Sequence, residues 1–305
     1  MFEIVQDSID RYKFFRDVQI WPLSDEFNFQ GWLRNFDKED DYIIASRILD
    51  FFNYYPKKMV DQMLTAAVGR AGYELSNYFS GWKHANFKNL CFYSFIPGET
   101  QNPSDSGNLF MRKLRDSLGI GEERFIDYKI VHDFLEETKT HLPIIFVDDF
   151  VGSGAQCITA WRINKGGKNN RTLDEISRLC GHKFVYSPIL INHLGNDAIN
   201  KFCKNLILSP AHIIGKEYNL FNPECICWRN DDGLDLFTPG IEMILRKSRE
   251  LGIPLTGGVH VNDAKGFHEQ GLALAFEHGA PDAIPAFFYW SSDDWTPLIK
   301  KTYQR

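Results

Sequence analysis

The thirteen residues from Ile144 to Gln156, which read IIFVDDFVGSGAQ, decide the predicted fold. Four apolar residues, Ile144 to Val147, make a run short enough for a buried strand, and two acids, Asp148 and Asp149, follow it directly. The Gly-Ser-Gly turn after them opens what we predict to be a helix. Because glycine allows a sharp turn and a helix N-terminus carries partial positive charge, the backbone N–H groups of this loop form a candidate anion site.

The two acids need polar partners. Burying adjacent carboxylates without partners costs several kcal/mol, so Asp148 and Asp149 are expected at an open edge of the sheet, where hydroxyl groups or a metal satisfy them. A ribose 5-phosphate fits both halves of the motif, because its diol donates hydrogen bonds to carboxylates and its phosphate accepts them from the loop. A hydrogen bond to an ionised acceptor contributes roughly 1.5 to 3 kcal/mol. The motif therefore predicts a site for a phosphorylated ribose.

Strands and helices alternate around this motif. Short apolar runs bounded by turn residues predict strands, and apolar residues at three- and four-residue spacings predict helices. The predicted strands flanking the motif cover residues 89–96, 184–192 and 205–210, and the predicted helices cover 108–118, 131–140 and 157–163. This alternation indicates an α/β fold, a mostly parallel sheet with flanking helices, in which ligands bind beyond the carboxyl ends of the strands.

The whole chain divides into three predicted segments. These are a helical N-terminal region at 1–86, the α/β core at 87–215, and a mixed α+β C-terminal extension at 216–305 that packs on the core. In the first segment, the apolar spacing from residue 25 to residue 79 predicts about three helices. In the last, a helix is predicted at 240–251 and strands in GLALAF (271–276) and IPAFFYW (284–290).

Composition excludes some classes of protein. A chain of 305 residues with 44% hydrophobic residues can bury a full core, and its net charge of -6 argues against a general nucleic-acid or anionic-membrane binder. No apolar run approaches a membrane span of roughly 18 residues, and the N-terminus carries acids where a signal peptide is basic and then apolar. We therefore expect a cytoplasmic protein. The six scattered cysteines suit reduced thiols, and no spacing predicts a metal site.

The stretch VDDFVGSGAQ resembles the signature of the phosphoribosyltransferase family, which is a hydrophobic strand, two acids, Thr-Gly or Ser-Gly, and a small or hydroxyl residue. The resemblance implies that Asp148 and Asp149 are the catalytic residues and hold the ribose hydroxyls. It further implies that the next residues bind the 5′-phosphate, namely Val151, Gly152, Ser153, Gly154, Ala155 and Gln156. Gln156 stands where the family usually has Thr or Ser.

The resemblance further implies that an upstream segment, SDSGNLFMRKLR, is the counterpart of the family's pyrophosphate loop. Ser106 and Gly107 then offer N–H groups to a diphosphate, and Arg112 neutralises its charge. The alternative is that the serines simply cap a helix whose basic residues face solvent. After the strand at 184–192, Asn192 and His193, with Asn196, either read a nucleobase edge or act as ordinary loop residues.

Most of the chain, from residue 25 to residue 300, resembles the phosphoribosyltransferase-like domains of bacterial conflict and antiphage systems, including effectors associated with retrons. The segments that carry this resemblance are the helical N-terminal region, the SDSGNLFMRKLR loop, FEHGAPDAIPAFFYW and the later WTPL. It implies an enzyme or effector that uses phosphoribosyl pyrophosphate or a nucleotide with Mg²⁺, has a nucleic-acid or defence-system protein as partner, and can form oligomers. The alternative function is a non-catalytic nucleotide-sensing module that signals to a partner protein.

Three other interpretations of the motif stay open. The strand and acids resemble a Walker B element, although no G-x-x-x-x-G-K-[ST] precedes them. A Rossmann fingerprint would need a third glycine where this chain has GSGAQC. Finally, the acids could cap a helix without binding any ligand, since Asp is a common cap residue.

Overall fold

The computed structural model of this chain describes residues 2–22, 26–83, 85–98, 106–229, 233 and 235–300. The chain forms two compact units. The sheet unit is Val60–Ile214, and the terminal unit combines Met1–Met59 with Gly215–Arg305. The three-segment division expected from the sequence, with boundaries at residues 87 and 216, stays a prediction about domains.

Helices and strands follow one another in chain order. The helices are α1 (Phe2–Asp17), α2 (Phe29–Leu33), α3 (Glu39–Phe51), α4 (Lys57–Leu75), α5 (Asn86–Leu90), α6 (Ser106–Leu118), α7 (Val131–Glu137), α8 (Ala155–Arg162), α9 (Leu173–Cys180), α10 (His193–Phe202) and α11 (Phe237–Glu250). The strands are β1 (Asn53–Tyr55), β2 (Phe92–Phe95), β3 (Pro143–Val151), β4 (Lys183–Asn192), β5 (Leu206–Leu208), β6 (His212–Ile214) and β7 (Leu274–Phe276). Within the described ranges, no helix is long and apolar enough to cross a membrane.

The sheet unit has the predicted α/β architecture. Strands β2, β3, β4 and β5 lie side by side in that order, β6 also pairs with β4, and all these pairs are parallel. Strand β3 is therefore central, with Ile144 opposite Phe92 of β2 and Phe184 of β4. The α/β fold class with flanking helices is confirmed. Because the strands are parallel, the carboxyl end of β3, with the two acids, lies at the same edge as the end of β4.

Alternate residues of β3 and β4 pack into a core on one side of the sheet. Ile144 and Phe146 from β3 and Phe184 and Tyr186 from β4 share this side with Trp161 of α8. Helices α7, α9 and α10 add further apolar residues to the same cluster. We call this side of the sheet the α8 face.

The terminal unit joins residues from both ends of the chain. Its strands β1 and β7 form a parallel pair, with Asn53 opposite Leu274. Helices α3 and α11 are linked by an ion pair in which Arg246 donates to both carboxylate oxygens of Asp41, at 2.6 and 2.7 Å. The helical pattern from residue 25 to residue 79 is confirmed by α2, α3 and α4.

One predicted strand of the terminal unit is wrong. The segment IPAFFYW holds a 3-10 helix at Ala286–Phe288, whose three residues are all buried. Consecutive burial does not distinguish a helix from a strand here, because β4 is also buried at consecutive residues. Pro285 precedes the 3-10 helix and has no N–H to donate to a neighbouring strand. An apolar run alone therefore does not predict which of the two structures forms.

Candidate functional site

The two acids of the motif have different hydrogen-bond partners. Strand β3 continues through both of them to Val151. Asp148 lies on the α8 face, where its Oδ2 accepts a hydrogen bond of 2.5 Å from the hydroxyl of Tyr186. Asp149 accepts a 3.4 Å hydrogen bond at Oδ1 from Ser106, the first residue of α6, and its carboxyl group also contacts that of Asp148. The two carboxylates therefore have different surroundings.

Asp148 is held firmly in place. Its side chain is half-buried, and besides the Tyr186 hydroxyl it accepts a hydrogen bond from the backbone N–H of Asp149 at 2.9 Å. Burial, followed by the negative charge of Asp149, raises the pKa of Asp148 well above its ordinary value, and the hydrogen bond from Tyr186 opposes that rise. Burial also raises the pKa of Tyr186, with the charge of Asp148 as the next cause, so the phenol stays a donor.

The glycine loop turns sharply from β3 into α8. Gly154 is the N-cap of α8 and has φ +77, a left-handed conformation that residues with a side chain rarely adopt. Ser153 accepts a 3.4 Å hydrogen bond at Oγ from the N–H of Ala155. The N–H groups in the first turn of an α-helix have no partner within the helix, so this turn can donate to an anion. Gly152 and Ser153 are half-buried and Gly154 is buried, so the loop has limited freedom.

Helix α10 packs closely against this loop. A Cβ atom placed on Gly195 would lie 2.5 Å from the carbonyl oxygen of Gly152 and 3.2 Å from the nitrogen of Gly154. Such distances leave no room for a side chain, so Gly195 fixes how near α10 comes to the loop. Sequence analysis missed this residue. The only signal was a glycine three residues beyond the end of a strand, and many loops share that feature.

The residues expected to read a base lie at the start of α10. Asn192 is 2% exposed, and its side chain caps the helix by accepting a hydrogen bond from the N–H of Leu194 at 3.0 Å. Its side-chain oxygen thus already has a partner. His193 is half-buried, and its Nδ1 is buried without a hydrogen-bond partner among the described residues. Asn196 donates to Asp197 at 3.1 Å. Base recognition by these residues stays a prediction.

Gln156 has a structural contact that explains its departure from the family signature. Its side-chain Nε2 donates a 2.7 Å hydrogen bond to the carbonyl oxygen of Ile96, which directly follows β2. A threonine or serine hydroxyl at this position is too short to span from α8 to the neighbouring strand. Gln156 therefore ties the first turn of α8 to the exit of β2, and a contact with phosphate stays a prediction.

The predicted pyrophosphate loop is only partly described, because residues 99–105 lie outside the described ranges. Gly107 is buried in α6, and a Cβ atom there would lie 2.1 Å from Cδ2 of Phe95, so this glycine is needed where α6 packs on β2. Arg112 is exposed and lies six residues beyond Ser106, which is about 120° away around a helix with 3.6 residues per turn. Ser106 therefore lies beside Asp149, whereas Arg112 lies on a different side of α6 from Ser106. Binding of diphosphate by these residues stays a prediction.

The donor set allows magnesium only together with a ligand. Among the residues that the structure describes, no three His, Cys, Asp or Glu side chains form a group that could hold a metal ion. One or two carboxylates beside a phosphate site nevertheless fit Mg²⁺, which keeps several waters and takes its other ligands from substrate oxygens. Asp149 is the acid that lies beside the start of α6, where Ser106 donates to it.

A parallel sheet whose central strand ends in two acids and a glycine loop defines a protein of the phosphoribosyltransferase-like class. The chain matches the family model described as PRTase-CE over residues 29–301, and it belongs to that phosphoribosyltransferase-like family. This confirms the resemblance seen in the sequence motif. No curated protein and no solved structure matches the chain.

Proposed function

We propose that this protein binds a phosphorylated ribose, as free sugar phosphate or nucleotide, at the carboxyl end of β3, and acts on it as a phosphoribosyltransferase-type enzyme or effector. The main observation that supports the proposal is that Asp149 and the loop at Gly154 lie next to each other at the end of β3. An acceptor for sugar hydroxyls and a first helix turn whose N–H groups can donate to an anion lie within a few residues of each other on one strand end.

The reaction of this class displaces pyrophosphate from C1 of an activated ribose, so positive charge develops on the sugar while the C1–O bond breaks. Catalysis then depends on positioning and on electrostatic stabilisation, and it needs few proton-transfer groups. In this chain the carboxylate of Asp149 would hold the hydroxyls, and the loop N–H groups would hold the 5′-phosphate. Magnesium, held by Asp149, water and ligand oxygens, would supply neutralisation of the leaving diphosphate.

The test is calorimetric titration with phosphoribosyl pyrophosphate, ribose 5-phosphate and adenosine monophosphate in the presence of Mg²⁺. We expect Asp149→Asn to weaken binding by at least about tenfold, through the loss of one hydrogen bond to a charged acceptor. Asp148→Asn should weaken binding to a similar extent, because it changes the contacts of Asp148 with Tyr186 and Asp149. The matched control is Asp116→Asn, which changes an exposed acid on α6 that is bonded to Arg115. Normal binding by both site variants, or no binding of any probe by the wild type, contradicts the proposal.

A nucleotide-sensing module is the second candidate, and one observation favours it. Gln156, one of the predicted phosphate ligands, already donates to the carbonyl oxygen of Ile96. A sensor needs only the Asp pair and the glycine loop, whereas an enzyme must also bind and release pyrophosphate. Measuring pyrophosphate release from phosphoribosyl pyrophosphate separates the two, because a sensor binds without turnover.

The proposal further includes a role in antiphage defence and a nucleic-acid or protein partner in that defence system. They rest on the sequence resemblance alone. A phage plaque assay with wild type and Asp149→Asn in the native operon tests them, and we expect protection to be lost in the variant. If the wild type and the variant protect equally, defence does not depend on this site.

A further inference from the structure

Tyr186 reaches across the sheet to the first acid of the motif. Phe146 is its direct neighbour in the register of β3 and β4, and Asp148 lies two residues further along β3, on the same face. Diagonal neighbours of this kind are about 7 to 8 Å apart at the backbone, a gap that a long aromatic side chain can bridge. Tyr186 is 1% exposed, and its hydroxyl ends 2.5 Å from Oδ2 of Asp148.

Hydrogen bonds through Asp148 link Tyr186 to the second acid, Asp149. Oδ2 of Asp148 is taken by Tyr186, and Oδ1 accepts the backbone N–H of Asp149. Asp149 in turn accepts the N–H of Phe150 at 2.8 Å and the hydroxyl of Ser106 at 3.4 Å. A rotation of the Asp148 side chain would therefore release the backbone that sets the direction of the Asp149 carboxylate.

We propose that Tyr186 is a positioning residue, which fixes Asp148 on the α8 face so that Asp149 is presented to the ribose hydroxyls of the ligand. The inference rests on the proposed function and adds to it a division of labour between the two acids. Tyr186 acts through Asp148 and does not touch the ligand. It lies on a different strand, 38 residues beyond Asp148, and no sequence motif marks it.

The experiment compares two probes, ribose 5-phosphate and inorganic phosphate, by calorimetric titration of the wild-type chain and the variant Tyr186→Phe. Removing only the Tyr186 hydroxyl should weaken the binding of ribose 5-phosphate by about tenfold, because the Asp149 carboxylate is then no longer held in the orientation that binds the ribose hydroxyls. The affinity for inorganic phosphate should change by less than about twofold, since the loop amides alone hold this probe. A merely structural role would weaken both probes to the same extent.

The matched control is Tyr93→Phe. Tyr93 is a fully buried tyrosine of β2 in the same sheet, and its hydroxyl donates to the carbonyl oxygen of Phe87 at 2.8 Å. It should lose stability as Tyr186→Phe does, but keep wild-type affinity for both probes. The variant Asp148→Asn provides the same comparison if Tyr186→Phe fails to fold, and it should show the same selective loss.

A double variant shows whether Tyr186 acts through Asp148. In the Asp148→Asn background, Tyr186→Phe should cost less than about a further twofold in ribose 5-phosphate affinity, because both changes break one connection. Additive losses, equal losses for the two probes, or unchanged affinity in Tyr186→Phe overturn the inference while the proposed function stands. Failure of the wild type to bind either probe overturns the proposed function, and the inference with it.

Discussion

The variant Gly195→Ala tests whether α10 sets the shape of the phosphate loop. Gly195 has no positive φ, so an alanine is conformationally acceptable there, and only the added Cβ atom disturbs the structure. That atom would lie 2.5 Å from the carbonyl oxygen of Gly152 and 3.0 Å from Cγ1 of Val151. Both neighbours belong to the strand end and loop that bind the ligand in our proposal.

The size of the effect follows from these distances. Ordinary contacts between nonbonded heavy atoms lie at about 3.5 to 4.0 Å, so the loop or the helix must move by roughly 1 Å. Overpacking of this kind costs about 1 to 3 kcal/mol, while replacing a helical glycine by alanine returns roughly 0.5 to 1 kcal/mol. We therefore expect a net loss of stability of about 1 kcal/mol. A shift of roughly 1 Å in a binding loop can lower ligand affinity by tenfold or more.

Urea unfolding and calorimetric titration with ribose 5-phosphate measure the two effects separately. The control variant is Asn200→Ala, which changes an exposed residue of the same helix without adding an atom near the loop. We expect it to bind like the wild type and to be slightly more stable, because alanine favours the helix. If Gly195→Ala also binds like the wild type and gains stability, α10 does not constrain the loop and our reasoning is refuted.

Three further predictions concern stability. Gln156→Ala should cost about 1 to 2 kcal/mol in urea unfolding, because the hydrogen bond to the carbonyl of Ile96 is lost. Asp61→Ala should cost about 2 to 3 kcal/mol, since it leaves the buried ammonium of Lys113 without its partner, and Lys113→Met in the same background should recover most of that loss. Asp148 has a raised pKa in the folded state, so above the ordinary carboxyl pKa of about 4 the folded protein binds more protons than the unfolded chain. Wild-type stability should therefore fall relative to Asp148→Asn as pH rises from about 4 towards the folded pKa, and unfolding curves from pH 4 to pH 8 check this sign.

The sequence was sufficient for the central strand, because four apolar residues before two acids and a glycine turn leave few alternatives to a buried strand with a loop at its end. Helix α6 was readable for a similar reason, since Phe110, Leu114 and Leu118 recur at a four-residue spacing and are all buried. Local patterns of this kind involve residues close in the chain. They predict an element without knowledge of its neighbours.

Contacts between distant residues could not be predicted in this way. The partner of Asp148 is Tyr186 on another strand, and the partner of Gln156 is Ile96, which is 60 residues earlier. Gly107 likewise has a packing contact that the sequence does not predict, because Phe95 leaves no room for a side chain there. A glycine in a sequence looks the same whether a ligand or a neighbouring ring requires it.

The different surroundings of the two acids resolve an electrostatic difficulty in the motif. An ionised carboxylate and a phosphate that are roughly 5 Å apart repel each other by about 3 kcal/mol at an effective dielectric constant of 20, and two carboxylates would double that cost. Asp148 retains its proton to a higher pH than an ordinary carboxyl, because it is buried and adjoins Asp149. A neutral Asp148 can still accept the hydroxyl of Tyr186 and the N–H of Asp149. The motif can therefore keep both acids while presenting mainly the charge of Asp149 to the sugar, and a phosphate can bind the loop a few residues away.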